Sequence, residues 1–127
     1  MLKGKLDKME RVIKTKFWEF SQNNSGGYFV KDDENGVCES VIIEAQTPDE
    51  AWSRLEKVGD KVSGFWNYCG CCGERWSNWL DEDDGKEVPM HYDTPLEEVQ
   101  KSMFRDRAFV HYYDGSIKEF KFKEAVK

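Results

Sequence analysis

No apolar run in this chain comes near the ~18 residues that cross a bilayer, and no secretory-type apolar stretch follows the N-terminal lysines. The expectation is a chain without a membrane span, acting in a reducing cytoplasm with its thiols free. The chain also lacks a phosphate-cradling P-loop and a dinucleotide-binding glycine fingerprint, which removes the commonest nucleotide-dependent enzyme classes. Histidine is scarce, with only His91 and His111, and nothing in their surroundings ties either to a nucleophile. Arg75 could lower a neighbouring thiol's pKa, but no positioned base accompanies it. Enzyme activity is therefore not expected. Positive charge is short as well: the formal net charge is −6, and because residues 1–16 carry +4, the remainder carries −10. Phosphate contacts dominate nucleic-acid affinity, so an acidic body makes nucleic acid an unlikely partner.

What the chain does have is 127 residues, 14% of them aromatic, enough to build one hydrophobic core from few large side chains. No repeat and no low-complexity linker divides it, so residues 1–127 read as one domain, with 1–15 as an amphipathic N-terminal helix or tail carrying Leu2, Leu6, Met9 and Ile13.

Three of the four cysteines fall within four positions, at Cys69, Cys71 and Cys72. Cys69-x-x-Cys72-Gly73 has the spacing of a zinc knuckle, in which a tight turn offers two thiolates to one metal. A second Cys-x-x-Cys is absent, so Cys71, Cys38, His91 or His111 would have to complete a tetrahedral zinc site. Two chains could instead each supply half of it, as a homo-oligomer. The alternative is three thiols packed as small apolar groups beside Trp66 and Trp76. The acidic run Asp81-Glu82-Asp83-Asp84 lacks the alternating ligands of a calcium loop and reads as a solvated tip.

Strands are expected at Lys16–Ser21, Tyr28–Val30 and Val37–Ala45. In the last, Val37, Val41, Ile43 and Ala45 share one face, and Cys38, Ser40, Ile42 and Glu44 the other. Thr47-Pro48-Asp49-Glu50 opens a helix by capping residue, first-turn proline and capping-box glutamate, and Gly59 closes it. Val62–Tyr68 reads as a strand entering the knuckle. Thr94-Pro95-Leu96-Glu97 repeats the helix-start pattern, with Leu96, Val99 and Met103 as its stripe. Arg107–Tyr113 and Ser116–Phe122 read as a hairpin on the two-residue turn Asp114-Gly115, placing His111 opposite Lys118 as a sheet-face residue. Which hairpin face is buried stays open, since Phe109, Phe120 and Phe122 compete with Ala108, Val110, Tyr112 and Ile117. The expected fold is α+β: a mostly antiparallel sheet, two to three helices packed on it, and a Cys-rich knuckle insertion.

For ligand binding the loop Gln22–Gly27 stands out. Gly26 and Gly27 let backbone amides turn toward a bound group, and Asn23, Asn24 and Ser25 supply donors and acceptors. Trp18, Phe20, Tyr28 and Trp76 are candidate stacking partners, and Arg75 a candidate phosphate partner. An ordinary hairpin loop is the plainer reading.

The segments Phe17-Trp18-Glu19-Phe20-Ser21-Gln22-Asn23-Asn24-Ser25-Gly26-Gly27-Tyr28-Phe29, Val41–Ala45, Cys71-Cys72-Gly73-Glu74-Arg75-Trp76 and His111-Tyr112-Tyr113-Asp114-Gly115, in that order, resemble a family of uncharacterised small tailed-bacteriophage proteins. The resemblance covers roughly residues 16–120 and brings no established activity. It implies a phage accessory protein in the bacterial host cytoplasm. Such a protein would act by stoichiometric binding, sequestering a nucleotide-derived signal or blocking a host protein. The alternative is a zinc-stabilised protein-interaction module without a small-molecule ligand.

Overall fold

A computed structural model describes residues 14–22, 29–66, 68–69, 73–74, 76, 80–102 and 105–124. Nearly all of the segment expected as an N-terminal helix lies outside them. Among the described residues there are eight strands and one α-helix. In chain order they are β1 (Lys16–Ser21), β2 (Ser40–Ala45), α1 (Pro48–Gly59), β3 (Tyr68–Cys69), β4 (Gly73–Glu74), β5 (Met90–His91), β6 (Thr94–Pro95), β7 (Arg107–His111) and β8 (Ile117–Lys121). Four of the strands form a sheet in the order β1-β2-β7-β8, and the others form two small hairpins, β3-β4 and β5-β6.

The sheet is mixed. β1 pairs antiparallel with β2 over its whole length, with Trp18 opposite Ile43 and Phe20 opposite Val41. β2 runs parallel to β7, with Val41 beside Phe109 and Ile43 beside His111. A parallel pair cannot be closed by a tight turn, and here α1 with the segments after it makes the long crossover. The alternation expected for β2 holds. Val41, Ile43 and Ala45 enter a core with Trp18, Phe20, Ala51, Leu55, Phe65 and Trp76, while Ile42 enters a second core with Leu96, Val99, Ala108, Val110 and Phe122. Five of the six β2 residues are buried, so this central strand is covered on both faces.

α1 forms where its start signals stand. Thr47 Oγ1 accepts from Glu50 N at 3.1 Å, and Glu50 Oε1 accepts from Gln46 N, one residue before the cap. Pro48 occupies the first turn, where its missing N–H costs nothing.

The two-to-three-helix expectation is overturned: the described protein is mostly β with a single α-helix. Residues from Thr94 onward do not repeat α1. Thr94–Pro95 pairs with Met90–His91, and only a 3₁₀ turn, Leu96–Glu98, follows. Val99 is already extended, and its carbonyl accepts from Lys123 N at 2.8 Å, while Lys101 N donates to Lys123 O at 2.7 Å. Leu96 and Val99 are three apart, a spacing that a 3₁₀ turn satisfies as well as an α-helix. Pairing with the chain's C-terminal segment then decides the conformation. Four of the five strand pairings among the described residues are antiparallel, and the parallel β2–β7 pair at the centre makes the main sheet a mixed one. Val62–Trp66 is not a strand but successive turns, with Lys61, Val62 and Phe65 amides donating to carbonyls three residues back.

The hairpin β7-β8 forms one residue out of the expected register. His111 lies opposite Ile117, and Val110 opposite Lys118. Gly115 N donates to Tyr112 O and Tyr112 N to Ser116 O, making a three-residue loop whose last residue, Gly115, has φ +94. A turn ending in a left-handed glycine is the usual alternative to the two-residue hairpin. This register puts Ala108, Val110 and Phe122 into the second core, with Tyr112 and Phe120 packed against it.

Burial of β2 on both faces predicts that truncations on either face are costly. Ile42→Ala and Ile43→Ala should each lose about 2–5 kcal/mol in urea unfolding. A loss under about 1 kcal/mol in either would mean that one face is open.

Candidate functional site: a cationic cleft beside the hairpin

The side of α1 that leaves the sheet carries Arg54 and Lys57, and Lys61 follows in the turn beyond. Their spacings of three and four residues stack them along one edge of the helix. Opposite them stands the end of β7. Together with Asn35, His111 and Tyr112 these cations line a cavity of about 280 Å³. No carboxylate belongs to the described residues that line it. In a chain of net charge −6 that local composition is unusual. The cleft lies at the carboxyl end of the parallel strand β7, the end at which open α/β sheets collect ligands.

Arg54 is held rather than free. Its Nη2 donates to Tyr112 O at 2.8 Å, and its guanidinium carbon lies 5.0 Å from the Tyr113 ring centroid. Its Nε is buried and has no hydrogen-bond partner among the described residues. A buried N–H left unpaired is a standing cost of about 1–3 kcal/mol, and more when the group is charged. Tyr113 is anchored in turn by its hydroxyl, which donates to Glu50 Oε2, and by its amide, which donates to Glu44 Oε1, both at 2.8 Å.

His111 forms the cleft's inner wall. It is 6% exposed, and its Nε2 lies 2.8 Å from Gly36 O. A carbonyl only accepts, so Nε2 carries the proton. Gly36 has φ +70, and a Cβ there would sit 2.8 Å from His111 Nε2 and 2.6 Å from Ile117 Cγ2. The turn needs glycine both for its dihedral and for this approach. Burial pushes the His111 pKa down, the Gly36 bond works against this, and Arg54 and Lys61 depress it further.

The residues marked in the sequence are distributed differently. Asn23, Asn24, Ser25, Gly26, Gly27, Tyr28, Arg75, Cys71 and Cys72 lie outside the described residues. Residues on either side of 23–28 are described: Gln22 Nε2 donates to Val30 O at 2.7 Å and Cys38 O at 2.8 Å, and Val30 N donates to Gln22 Oε1 at 2.8 Å. Trp76 is fully buried, its ring stacked on Phe65 at 4.8 Å and its Nε1 donating to Phe65 O at 2.9 Å. Cys69 pairs antiparallel with Gly73, and Tyr68 with Glu74, in the small β3-β4 sheet. Cys38 is buried, and its Sγ lies 3.2 Å from Ser40 O and 3.7 Å from Arg107 O. Burial raises its pKa to about 11. His91 faces Glu19, Nδ1 to Oε2 at 2.5 Å. Among the described residues no group of three or more His, Cys, Asp or Glu is placed to hold a metal ion.

The sequence does not single out the cleft residues Arg54, Lys57, Lys61 and Asn35 as a site, and it offers His111 as a sheet-face residue or a candidate zinc ligand, not as a cleft wall. Their signal was present in part, as three cations on one helix edge.

Residues 15–127 match the family model described as domain of unknown function DUF7296. The chain belongs to the DUF7296 family. No curated protein and no solved structure matches it. The match takes in all the elements of the DUF7296 fold described above and every residue of the cleft. No helix among the described residues of this DUF7296 chain is long and apolar enough to cross a membrane.

The depressed His111 pKa sets a pH dependence. The unfolded chain binds a proton near pH ~6.5, whereas the folded protein takes it up only at lower pH. The stability contributed by neutral His111 is therefore complete above about pH 6.5 and falls as the pH drops toward the folded value. Thermal melts from pH 8 to 5 should show a declining midpoint, and His111→Gln should flatten that decline. An unchanged slope in the variant would place the titrating group elsewhere.

Proposed function

We propose that this protein is a stoichiometric binder of a phosphorylated small molecule, nucleotide-derived in the reading favoured here, held in the cleft between α1 and the β7-β8 hairpin. The observation that carries this reading is the convergence of Arg54, Lys57 and Lys61 on a cavity with no described carboxylate in its lining. Arg54 adds a fixed guanidinium whose Nε lacks a partner among the described residues. A phosphate oxygen placed there would accept a charge-assisted bond without first displacing an internal one. The cavity is at the lower end of the ~300–1,000 Å³ typical of small-molecule pockets. That size suits a phosphorylated sugar or a single nucleotide better than a dinucleotide. The His111 proton is committed to Gly36 O, which supports binding over acid–base catalysis. The resemblance to phage proteins supports a role in the host cytoplasm, where trapping such a molecule would counter a defence signal.

Calorimetry against inorganic phosphate, mononucleotides and cyclic nucleotides tests the reading. At least one should bind, more weakly as salt rises, and Lys57→Ala/Lys61→Ala should weaken it about tenfold or more. Silence across the panel, or binding indifferent to both lysines, would contradict it.

The β3-β4 hairpin favours a second reading, in which zinc bound by Cys69 and Cys72 fixes a protein-interaction surface. Stoichiometric zinc after purification without added metal, with a melting point lowered by chelator, is the result this version expects. Protein free of zinc and indifferent to chelator would remove it.

A further inference from the structure

At the opposite end of the parallel pair, where β2 and β7 begin, lies a second cavity of about 260 Å³. Phe29, Lys31, Glu39, Lys101, Arg105 and Asp106 are among its lining residues. Glu39 is 3% exposed. Its Oε2 lies 3.2 Å from Lys31 Nζ, and its Oε1 is buried with no hydrogen-bond partner among the described residues. A buried carboxylate oxygen without a donor is an exception in a folded protein, and a bound donor is one way to satisfy it. Arg105 does not supply one: its Nη1 is engaged by Glu39 O at 3.1 Å and Ser40 Oγ at 2.8 Å.

We propose that this cavity is a second ligand site, taking a guanine-type nucleotide with its base edge on Glu39 and its phosphate among Lys31, Lys101 and Arg105. The inference goes beyond the cleft reading and does not depend on it. An ionised carboxylate only accepts, so the ligand must bring donors. Lys31 and Arg105 already stand beside Glu39, so a neutral N–H donor is favoured there over a further ammonium. Lys101 pairs with the exposed Glu124, Nζ to Oε2 at 3.1 Å, and an anionic group on the ligand would compete for it there together with Lys31. A guanine edge offers two adjacent N–H donors, which match the two oxygens of one carboxylate, and Phe29 supplies an aromatic wall. Lys31 is half exposed, with 51% of its side chain open. On binding, the base edge displaces Lys31 from Glu39, the carboxylate turns until both oxygens meet donors, and Lys31 swings to the phosphate.

The test is calorimetry of the full-length chain in the Lys57→Ala/Lys61→Ala background, in which phosphate binding in the cleft is weakened about tenfold or more. Guanosine 5′-monophosphate should bind there, about tenfold or more tighter than adenosine 5′-monophosphate, which presents an acceptor where guanine presents an N–H. Glu39→Gln should abolish that preference. Lys101→Ala, at an exposed position that leaves folding intact, should weaken guanosine 5′-monophosphate about two- to tenfold. Absence of binding overturns the proposal, as does ribose 5-phosphate binding equally well, since the base would then play no part. A preference that persists in Glu39→Gln, checked as folded by its melting curve, also overturns it. Binding seen only when Lys57 and Lys61 are present would assign the nucleotide to the cleft and remove this site.

Discussion

The burial of β2 on both faces is the constraint from which the rest of the structure follows. A strand without a solvent face cannot sit at the edge of an open sheet. It needs a neighbour on each side and a layer above and below. β1 and β7 supply the neighbours, and β7 runs parallel to it, so the chain must travel the length of the sheet before returning. α1 uses that journey to cover one face with Ala51 and Leu55. The later stretch around the Leu96–Glu98 turn covers the other with Leu96 and Val99. The segment after Thr94 forms no second α-helix because its backbone is recruited to pair with Lys123 at the far edge.

Both candidate sites lie where this covering stops. α1 covers the core through Ala51, Leu55 and Gly59, while Arg54 and Lys57 on its other edge, with Lys61 beyond its end, line the cleft. At the other end of the sheet the polypeptide enters β2 through Glu39, which is buried by the same closure that buries Ser40 and Val41. Its lysine partner leaves one oxygen unmet among the described residues. The two cavities thus flank the parallel pair, one lined by cations without a described carboxylate and one mixed in charge, within a protein of net charge −6.

Local signals in the sequence were reliable where local physics decides the outcome. Thr47, Pro48 and Glu50 start α1 because capping is a matter of neighbouring residues. The alternation of Val41, Ile42 and Ile43 assigns their faces because side-chain direction has period two in any strand. The signals failed where a distant partner decides. Leu96 and Val99 fit two helix types equally, and only the remote Lys123 separates them. The Asp114-Gly115 pair marked a turn but not its length, and the one-residue difference altered every cross-strand pair of the hairpin. The cleft was legible only in half. Arg54, Lys57 and Lys61 share a helix edge, but nothing nearby in the sequence reveals that His111 and Asn35 face them. The glycine-rich loop and the cysteine cluster drew attention by composition, which says little about what the folded chain places beside them.

The central claim is that the cleft is built to receive a phosphate group, and the side-chain resonance of Arg54 reports on it most directly. Nuclear magnetic resonance of the ¹⁵N-labelled protein during titration with inorganic phosphate would follow the Arg54 Nε–H, which has no acceptor among the described residues. The account predicts a saturable downfield shift of that proton, accompanied by changes at His111 and in the Lys57 to Lys61 segment. An Arg54 Nε–H that stays unmoved while resonances elsewhere respond, or no response at any residue, would contradict it.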